Sequence, residues 1–125
     1  MNDKVRQRFV TADGFLRELA DLDPDKVPRA TIHSAYYAMF HAATGVVLMY
    51  GGKLTKTHSG LIARLSATLR VQHPHQLGLV SRLGRAFDER LVADYDDGSD
   101  VMAHARYLKT DARSYVAACR DLLGL

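Results

Sequence analysis

Apolar residues recur every three or four positions along most of the chain, which is the spacing of one face of an α-helix. The first stripe predicts a helix over roughly residues 2–22. Asp23-Pro24-Asp25 ends this helix, because proline disfavours helical geometry in the residue before it. The stripe consists of Val5, Phe9, Ala12, Leu16 and Leu19.

Proline and glycine mark the boundaries of the following helices. Pro28 suits the first turn of a second helix, where its missing N–H costs nothing, and Gly51-Gly52 ends that helix. A third helix is predicted over roughly residues 57–70, and His73-Pro74-His75 separates it from a fourth. The apolar stripe of the fourth helix consists of Leu79, Val80, Leu83, Phe87 and Leu91.

The last helix is predicted to follow a turn at Asp96-Asp97-Gly98, with Ser99 as its N-cap, and to run to about Leu123. No segment alternates with period two, so we expect no sheet. Five helices joined by short loops predict an all-α fold, an up-and-down antiparallel helical bundle of four to five helices. Because no long linker or internal repeat interrupts the pattern, we expect a single domain over residues 1–125.

The composition, with 47% hydrophobic and 25% charged residues, is that of an ordinary globular protein. The only cysteine, Cys119, rules out an intrachain disulfide and is typical of a reducing cytoplasm. The start of the chain lacks the apolar segment of a signal peptide. The longest apolar run, residues 42–50, is too short to span a bilayer. We therefore expect a cytoplasmic protein that has no membrane segment.

The charges are unevenly distributed, although the formal net charge is only +3. All fourteen acidic residues lie within residues 3–25 and 88–121. The acid-free segment between them carries eight Lys or Arg residues and five of the six histidines. A positive middle segment favours an anionic partner such as RNA or a nucleotide. A solvated basic surface would produce the same pattern, and the sequence does not separate the two.

A candidate phosphate site lies where the third helix is predicted to begin. His58 is close to that helix start, where free backbone N–H groups attract anions. Lys53 and Lys56 precede it, and Arg64 on the same helix is a further candidate contact. The alternative interpretation is a helix cap by Thr57 with incidental lysines.

His41 is a second candidate contact for RNA or a nucleotide, since it lies four residues after Tyr37 on the same helix face. It either belongs to a polar ridge at the mouth of a cleft or is hydrogen-bonded at the bundle surface. No metal site is predicted, because His73 and His75 are two residues apart and lack a third ligand at a familiar spacing. There is no glycine-rich phosphate loop, and we expect no cofactor.

Three separated segments together resemble one known family. They are SAYYAMFHAA at residues 34–43, KTHSGLI at residues 56–62 and RLVADY at residues 90–95. In this order and at these separations they resemble the HEPN domain (higher eukaryotes and prokaryotes nucleotide-binding), over roughly residues 5–123. The resemblance implies a helical bundle that forms a homodimer. It also implies either a nucleotidyltransferase-like protein partner or a metal-independent ribonuclease activity of the toxin type.

The nuclease signature of that family is an arginine, four to six residues and then a histidine near the start of the last long helix. Arg90 falls at the place of the signature arginine, whereas Asp94, followed by Tyr95, stands where the histidine belongs. An arginine can hold a phosphate, and a tyrosine can stack or form a hydrogen bond. An aspartate cannot replace an imidazole as a general acid near neutral pH unless its pKa is strongly raised. The resemblance makes Arg90, Asp94 and Tyr95 the candidate catalytic residues and leaves open whether the chain is an enzyme.

Three functional hypotheses follow from the sequence. The leading one is a dimeric HEPN-type bundle that binds RNA or a nucleotide through a basic cleft, within a two-component, toxin–antitoxin-like system. The second is a metal-independent ribonuclease toxin. The third is a structural module whose apolar stripes dock a partner helix or another copy of the chain.

Overall fold

The computed structural model describes residues 2–95 and 100–125, apart from the side chain of Tyr95. These residues form five α-helices and one short 3-10 helix at Pro74–Gln76, without a strand. The helices are α1 (Asp3–Ala20), α2 (Pro28–Met49), α3 (His58–Gln72), α4 (Gly78–Tyr95) and α5 (Asp100–Leu123). The all-α helical bundle predicted from the sequence is confirmed. The predicted turn at Asp96-Asp97-Gly98 and the Ser99 cap lie outside the described residues.

Local chemistry sets the helix boundaries. The side chain of Asn2 accepts a hydrogen bond from the backbone N–H of Val5 at 2.9 Å and so caps α1. Pro28 is the first residue of α2, as predicted. After the end of α2, Gly51 has a φ of 80°, a left-handed conformation that glycine adopts without steric cost.

The central helix is α2, which packs against α1, α3, α4 and α5. Small residues on α2 allow its neighbours to approach closely. At Gly45 a Cβ atom would lie only 2.7 Å from Cε2 of Phe9 on α1, so a larger residue would force the two helices apart. Although α2 is the most apolar helix, no helix in the described part of the chain is long and apolar enough to cross a membrane.

One predicted core position on α4 is wrong. Leu91 is 41% exposed, whereas Leu79 and Leu83 are buried as predicted. Seven residues are nearly two full helical turns, so the position that continues the stripe after Leu83 is Arg90. The side chain of Arg90 is half-buried, and a cation therefore stands where the pattern of α4 calls for an apolar residue.

Candidate functional site

Arg90 lies against two tyrosine rings of α2. Its Cζ atom is 5.2 Å from the ring centroid of Tyr36 and 5.2 Å from that of Tyr37, within the range of a cation–π interaction. The Nε atom is buried and has no hydrogen-bond partner among the described residues. No carboxylate in residues 2–95 or 100–125 forms an ion pair with this guanidinium group. Its positive charge is therefore not neutralised within the described chain.

Tyr36 connects Arg90 to the start of α3. The Tyr36 side chain is buried, and its hydroxyl lies 3.1 Å from Nδ1 of His58. Burial raises the pKa of Tyr36 to about 12, against the opposing effect of the Arg90 charge and of a hydrogen bond from Arg90. Tyr36 is therefore protonated at neutral pH and can donate its hydroxyl proton.

His58 is the first residue of α3, immediately after the Thr57 cap, whose hydroxyl accepts from the N–H of Gly60 at 3.0 Å. The imidazole stacks on the Phe87 ring at a centroid distance of 3.7 Å and an angle of 8°. Burial lowers the pKa of His58, the charge of Arg90 lowers it further, and Asp88 opposes both. His58 is then neutral at pH 7, and the direction of its hydrogen bond with the Tyr36 hydroxyl is set by which ring nitrogen carries the proton.

These five side chains form one group, which we call the Arg90 cluster: Arg90, Tyr36, Tyr37, His58 and Phe87. Three helices contribute to it, since α2 supplies the tyrosines, α3 the histidine, and α4 the phenylalanine and the arginine. The cluster combines an unneutralised cation, a neutral imidazole and aromatic rings. This combination suits a ligand that has both a negative charge and a flat ring.

The acidic residue next to Arg90 in the chain does not neutralise it. Glu89 is buried on the side of α4 that faces α5, and its Oε1 atom accepts from Nε of Arg85 at 2.9 Å. Nδ1 of His104 on α5 lies 3.0 Å from the same oxygen. Adjacent helical residues point about 100° apart, so the charge of Glu89 acts towards α5 and not towards the tyrosines.

The other predicted phosphate contacts lie apart from the Arg90 cluster. Lys53 and Lys56 are exposed in the segment between α2 and α3. Arg64 is exposed on α3, six residues after His58, and therefore about 120° away around the helix axis. Within the described ranges these three side chains have no hydrogen bond or ion pair to the cluster.

His41 is held by α1. Nη1 of Arg8 donates to Nδ1 of His41 at 2.9 Å, and the His41 ring stacks on Phe15 at a centroid distance of 5.7 Å. Burial, followed by the charge of Arg8, lowers the pKa of His41 to about 4. His41 is therefore neutral at pH 7 and accepts the hydrogen bond. Phe15 also stacks on Tyr37 at 5.6 Å. The His41 ring lies 6.4 Å from that of Tyr37, so His41 borders the Arg90 cluster directly.

The remaining catalytic candidates follow Arg90 on α4. Asp94 is exposed one turn further along the helix, and the side chain of Tyr95 lies outside the described residues. Sequence reasoning missed Arg29, whose Nε donates to the carbonyl oxygen of Ala93 at 2.7 Å. This bond attaches the first turn of α2 to the last turn of α4. No spacing signal in the sequence identifies such a contact, because it joins residues 64 positions apart.

The described ranges hold no cluster of metal-binding side chains, and their cysteine is buried. Residues 2–95 and 100–125 contain no group of three or more His, Cys, Asp or Glu side chains that could hold a metal ion. Cys119 is buried, and burial raises its thiol pKa to about 12. The thiolate that a nucleophile or metal ligand requires is therefore scarce at neutral pH.

Comparison with known proteins gives a partial match. No protein-family model matches the chain. A UPF0332 protein from Archaeoglobus fulgidus is 46% identical to it over 66 residues. The match covers 50% of this chain and 48% of that protein, so the chain spans about half the length of this curated relative.

Proposed function

We propose that the chain forms one HEPN-like domain over residues 1–125, which dimerises and binds RNA or a nucleotide through the Arg90 cluster. The observation that carries the proposal is the half-buried Arg90 guanidinium, which faces two tyrosine rings and has no carboxylate partner in the described chain. The helical fold and the UPF0332 similarity are consistent with the HEPN-like resemblance.

Physical chemistry favours a phosphate at this position. A half-buried cation that lacks a counter-charge raises the free energy of the folded state. A phosphate would supply the missing negative charge together with acceptors for the planar N–H groups of Arg90. A nucleobase can stack on the neighbouring aromatic rings, as single-stranded nucleic acids do on their binding proteins. The exposed Lys53 and Lys56 would attract the same ligand from a distance.

Fluorescence anisotropy with a labelled single-stranded RNA at low salt tests the proposal. Arg90→Gln removes the charge, and we expect it to weaken binding about tenfold, which corresponds to one charge-assisted hydrogen bond. Arg70→Gln is the matched control, because Arg70 is exposed in the last turn of α3. Binding by the parent chain should also weaken steeply with added salt. A dimer that binds neither RNA nor nucleotides at low salt would refute the proposal.

The partner protein is a separate part of the proposal and rests on the resemblance. We infer that the chain acts in a two-component, toxin–antitoxin-like system with a nucleotidyltransferase-like protein. Co-expression with the product of a neighbouring gene of that class should yield a complex of defined stoichiometry in size-exclusion chromatography with light scattering. The same measurement on the chain alone tests whether it is a dimer.

A metal-independent ribonuclease is the second candidate function, favoured by one observation. A neutral imidazole, His58, is hydrogen-bonded to Tyr36 beside the Arg90 cation. In the tautomer in which Nδ1–H donates to the Tyr36 hydroxyl, its Nε2 atom is free to accept a proton from a ribose hydroxyl. This function predicts growth arrest on expression, relieved by Arg90→Ala and by His58→Ala. Bulk RNA that stays intact in the presence of EDTA, together with harmless expression, would contradict it.

A further inference from the structure

A groove of about 510 Å³ lies beside the first half of α1, away from the Arg90 cluster. Its lining includes Lys4, Gln7, Arg8 and Thr11 on α1, together with the apolar side chains of Leu48 and Leu54. Cations, hydrogen-bonding groups and an apolar wall on one concave surface are typical of a binding site for an anionic organic ligand.

Arg8 is the side chain in this groove that is both fixed and unneutralised. It is half-buried, and its bond to His41 holds the guanidinium in place. His41 is neutral, so it orients Arg8 without cancelling the charge. Arg8 forms no ion pair within residues 2–95 and 100–125. Asp3 also lines the groove, but its carboxylate is paired with Arg6 at 3.6 Å.

A continuous line of rings connects this groove to the Arg90 cluster. From Arg8 the contacts pass to His41, then to Phe15 at 5.7 Å, Tyr37 at 5.6 Å and Arg90 at 5.2 Å. We call these five residues the Arg8–Arg90 stripe. Every member is half-buried, so each side chain retains some solvent-exposed surface.

The surface beside the stripe is also concave. A shallower depression of about 260 Å³ is lined by Thr11, Gly14, Phe15 and Glu18. Thr11 borders both depressions, so the second depression adjoins the first on the face of α1 that carries Arg8 and Phe15. Glu18 closes its far end, where it accepts a hydrogen bond from the hydroxyl of Ser34 at 3.5 Å.

We propose that the Arg8 groove is a second anion-binding subsite, and that a single-stranded RNA longer than one nucleotide lies along the Arg8–Arg90 stripe. This inference rests on the proposed function and specifies its substrate class. Two fixed cations would hold separate phosphates, and the rings between them would stack on the intervening bases. A duplex has its bases already stacked and paired, so it cannot present them to these rings.

Length dependence is the measurement that tests this subsite. We expect an oligo-uridylate of about eight nucleotides, within the site sizes of basic grooves that follow a backbone, to bind more tightly than uridine monophosphate. Arg8→Gln should weaken binding of the oligonucleotide about tenfold and leave binding of the monophosphate unchanged. A plot of log affinity against log salt concentration has a negative slope, and its magnitude should decrease by about 0.7 in this variant because one phosphate contact is lost.

Two further variants keep the result independent of folding defects. Arg70→Gln removes the same charge from an exposed position in the last turn of α3 and should leave oligonucleotide binding unchanged. Lys4→Gln removes an exposed cation of the groove and should weaken binding of the oligonucleotide but not of the monophosphate, even if Arg8→Gln lowers the melting temperature.

The outcomes separate the two proposals. If Arg90→Gln weakens oligonucleotide binding about tenfold while Arg8→Gln and Lys4→Gln leave it unchanged, the second subsite is refuted and the proposed function stands. If neither probe binds at low salt, the proposed function fails. Equal affinity for double-stranded RNA, or for an acidic peptide of the same charge, would overturn the single-strand assignment.

Discussion

Replacing Arg90 by methionine should make the protein more stable while it weakens RNA binding. Arg90 occupies the position on α4 that continues the buried stripe of Leu79 and Leu83. Methionine has a similar length, is unbranched and fills irregular apolar spaces. Tyr36 retains its hydrogen bond to His58 in this variant, so the substitution leaves no buried hydroxyl without a partner.

The expected gain follows from the contacts of the guanidinium group. Removing a buried Nε that lacks a partner relieves a desolvation penalty of about 1–3 kcal/mol. The two tyrosine contacts are lost, at a cost of about 0.5–1 kcal/mol each. The hydrogen bond from Arg90 to Tyr36 is lost as well, and burial of the methionine thioether compensates for it. These ranges balance at a rise of about 0.5 kcal/mol in the free energy of unfolding, which raises the melting temperature by about 2–3 °C for a chain of this size.

Urea denaturation followed by circular dichroism measures this difference, and anisotropy with labelled RNA measures the accompanying loss of affinity. Arg64→Met on the exposed face of α3 is the control and should change stability by less than about 0.5 kcal/mol. If Arg90→Met lowers the free energy of unfolding by more than about 1 kcal/mol, the guanidinium group is a structural element. Arg90 would then not be held ready for a ligand.

Further predictions concern the core and the titrating groups. Gly45→Ala should destabilise the protein by about 1–3 kcal/mol, because the new Cβ meets the Phe9 ring. Urea denaturation measures this loss of stability, and an unchanged free energy of unfolding would mean that α1 and α2 can move apart at no cost. The pKa of His41 is lowered to about 4 in the folded state, so the unfolded state binds the proton first as the pH falls. Stability should therefore decrease between about pH 6.5 and pH 4, by about 1–2 kcal/mol after allowance for solvent screening, and His41→Gln should flatten this dependence in pH-resolved unfolding. Cys119 should resist iodoacetamide at neutral pH in the folded chain and react after unfolding, as mass spectrometry would detect; rapid labelling without denaturant would contradict its burial.

The helices could be predicted from the sequence because their signals are local. The apolar period gave α1 as residues 2–22 against the observed Asp3–Ala20, and α3 as residues 57–70 against His58–Gln72. Pro28 and Gly51 act through their own backbone geometry, so they mark the ends of α2 without reference to the rest of the fold. The prediction for Leu91 was wrong because it placed the next core residue four positions after Phe87. That step leads away from the side of α4 that faces the core.

The site could be predicted only in parts. Arg90 and His58 were identified separately, one through a resemblance and the other through its position at a helix start. Their meeting at Tyr36 depends on the packing of α2, α3 and α4, which no local pattern contains. Arg8 was missed for the same reason, since its partner His41 is 33 residues away and the polar face of α1 looks like ordinary exposed surface.

The position of α2 at the centre of the bundle has a consequence for mutational scanning. Tyr36 belongs both to the core and to the Arg90 cluster, so most substitutions there should lower protein abundance and RNA binding together. Arg90 and His58 are supplied by α4 and α3 and are only half-buried, so many of their substitutions should spare abundance and remove binding. A scan that records both abundance and RNA binding should therefore distinguish the cluster residue Tyr36 on α2 from Arg90 on α4 and His58 on α3. Sequence variation that alters ligand preference should accumulate on α3 and α4.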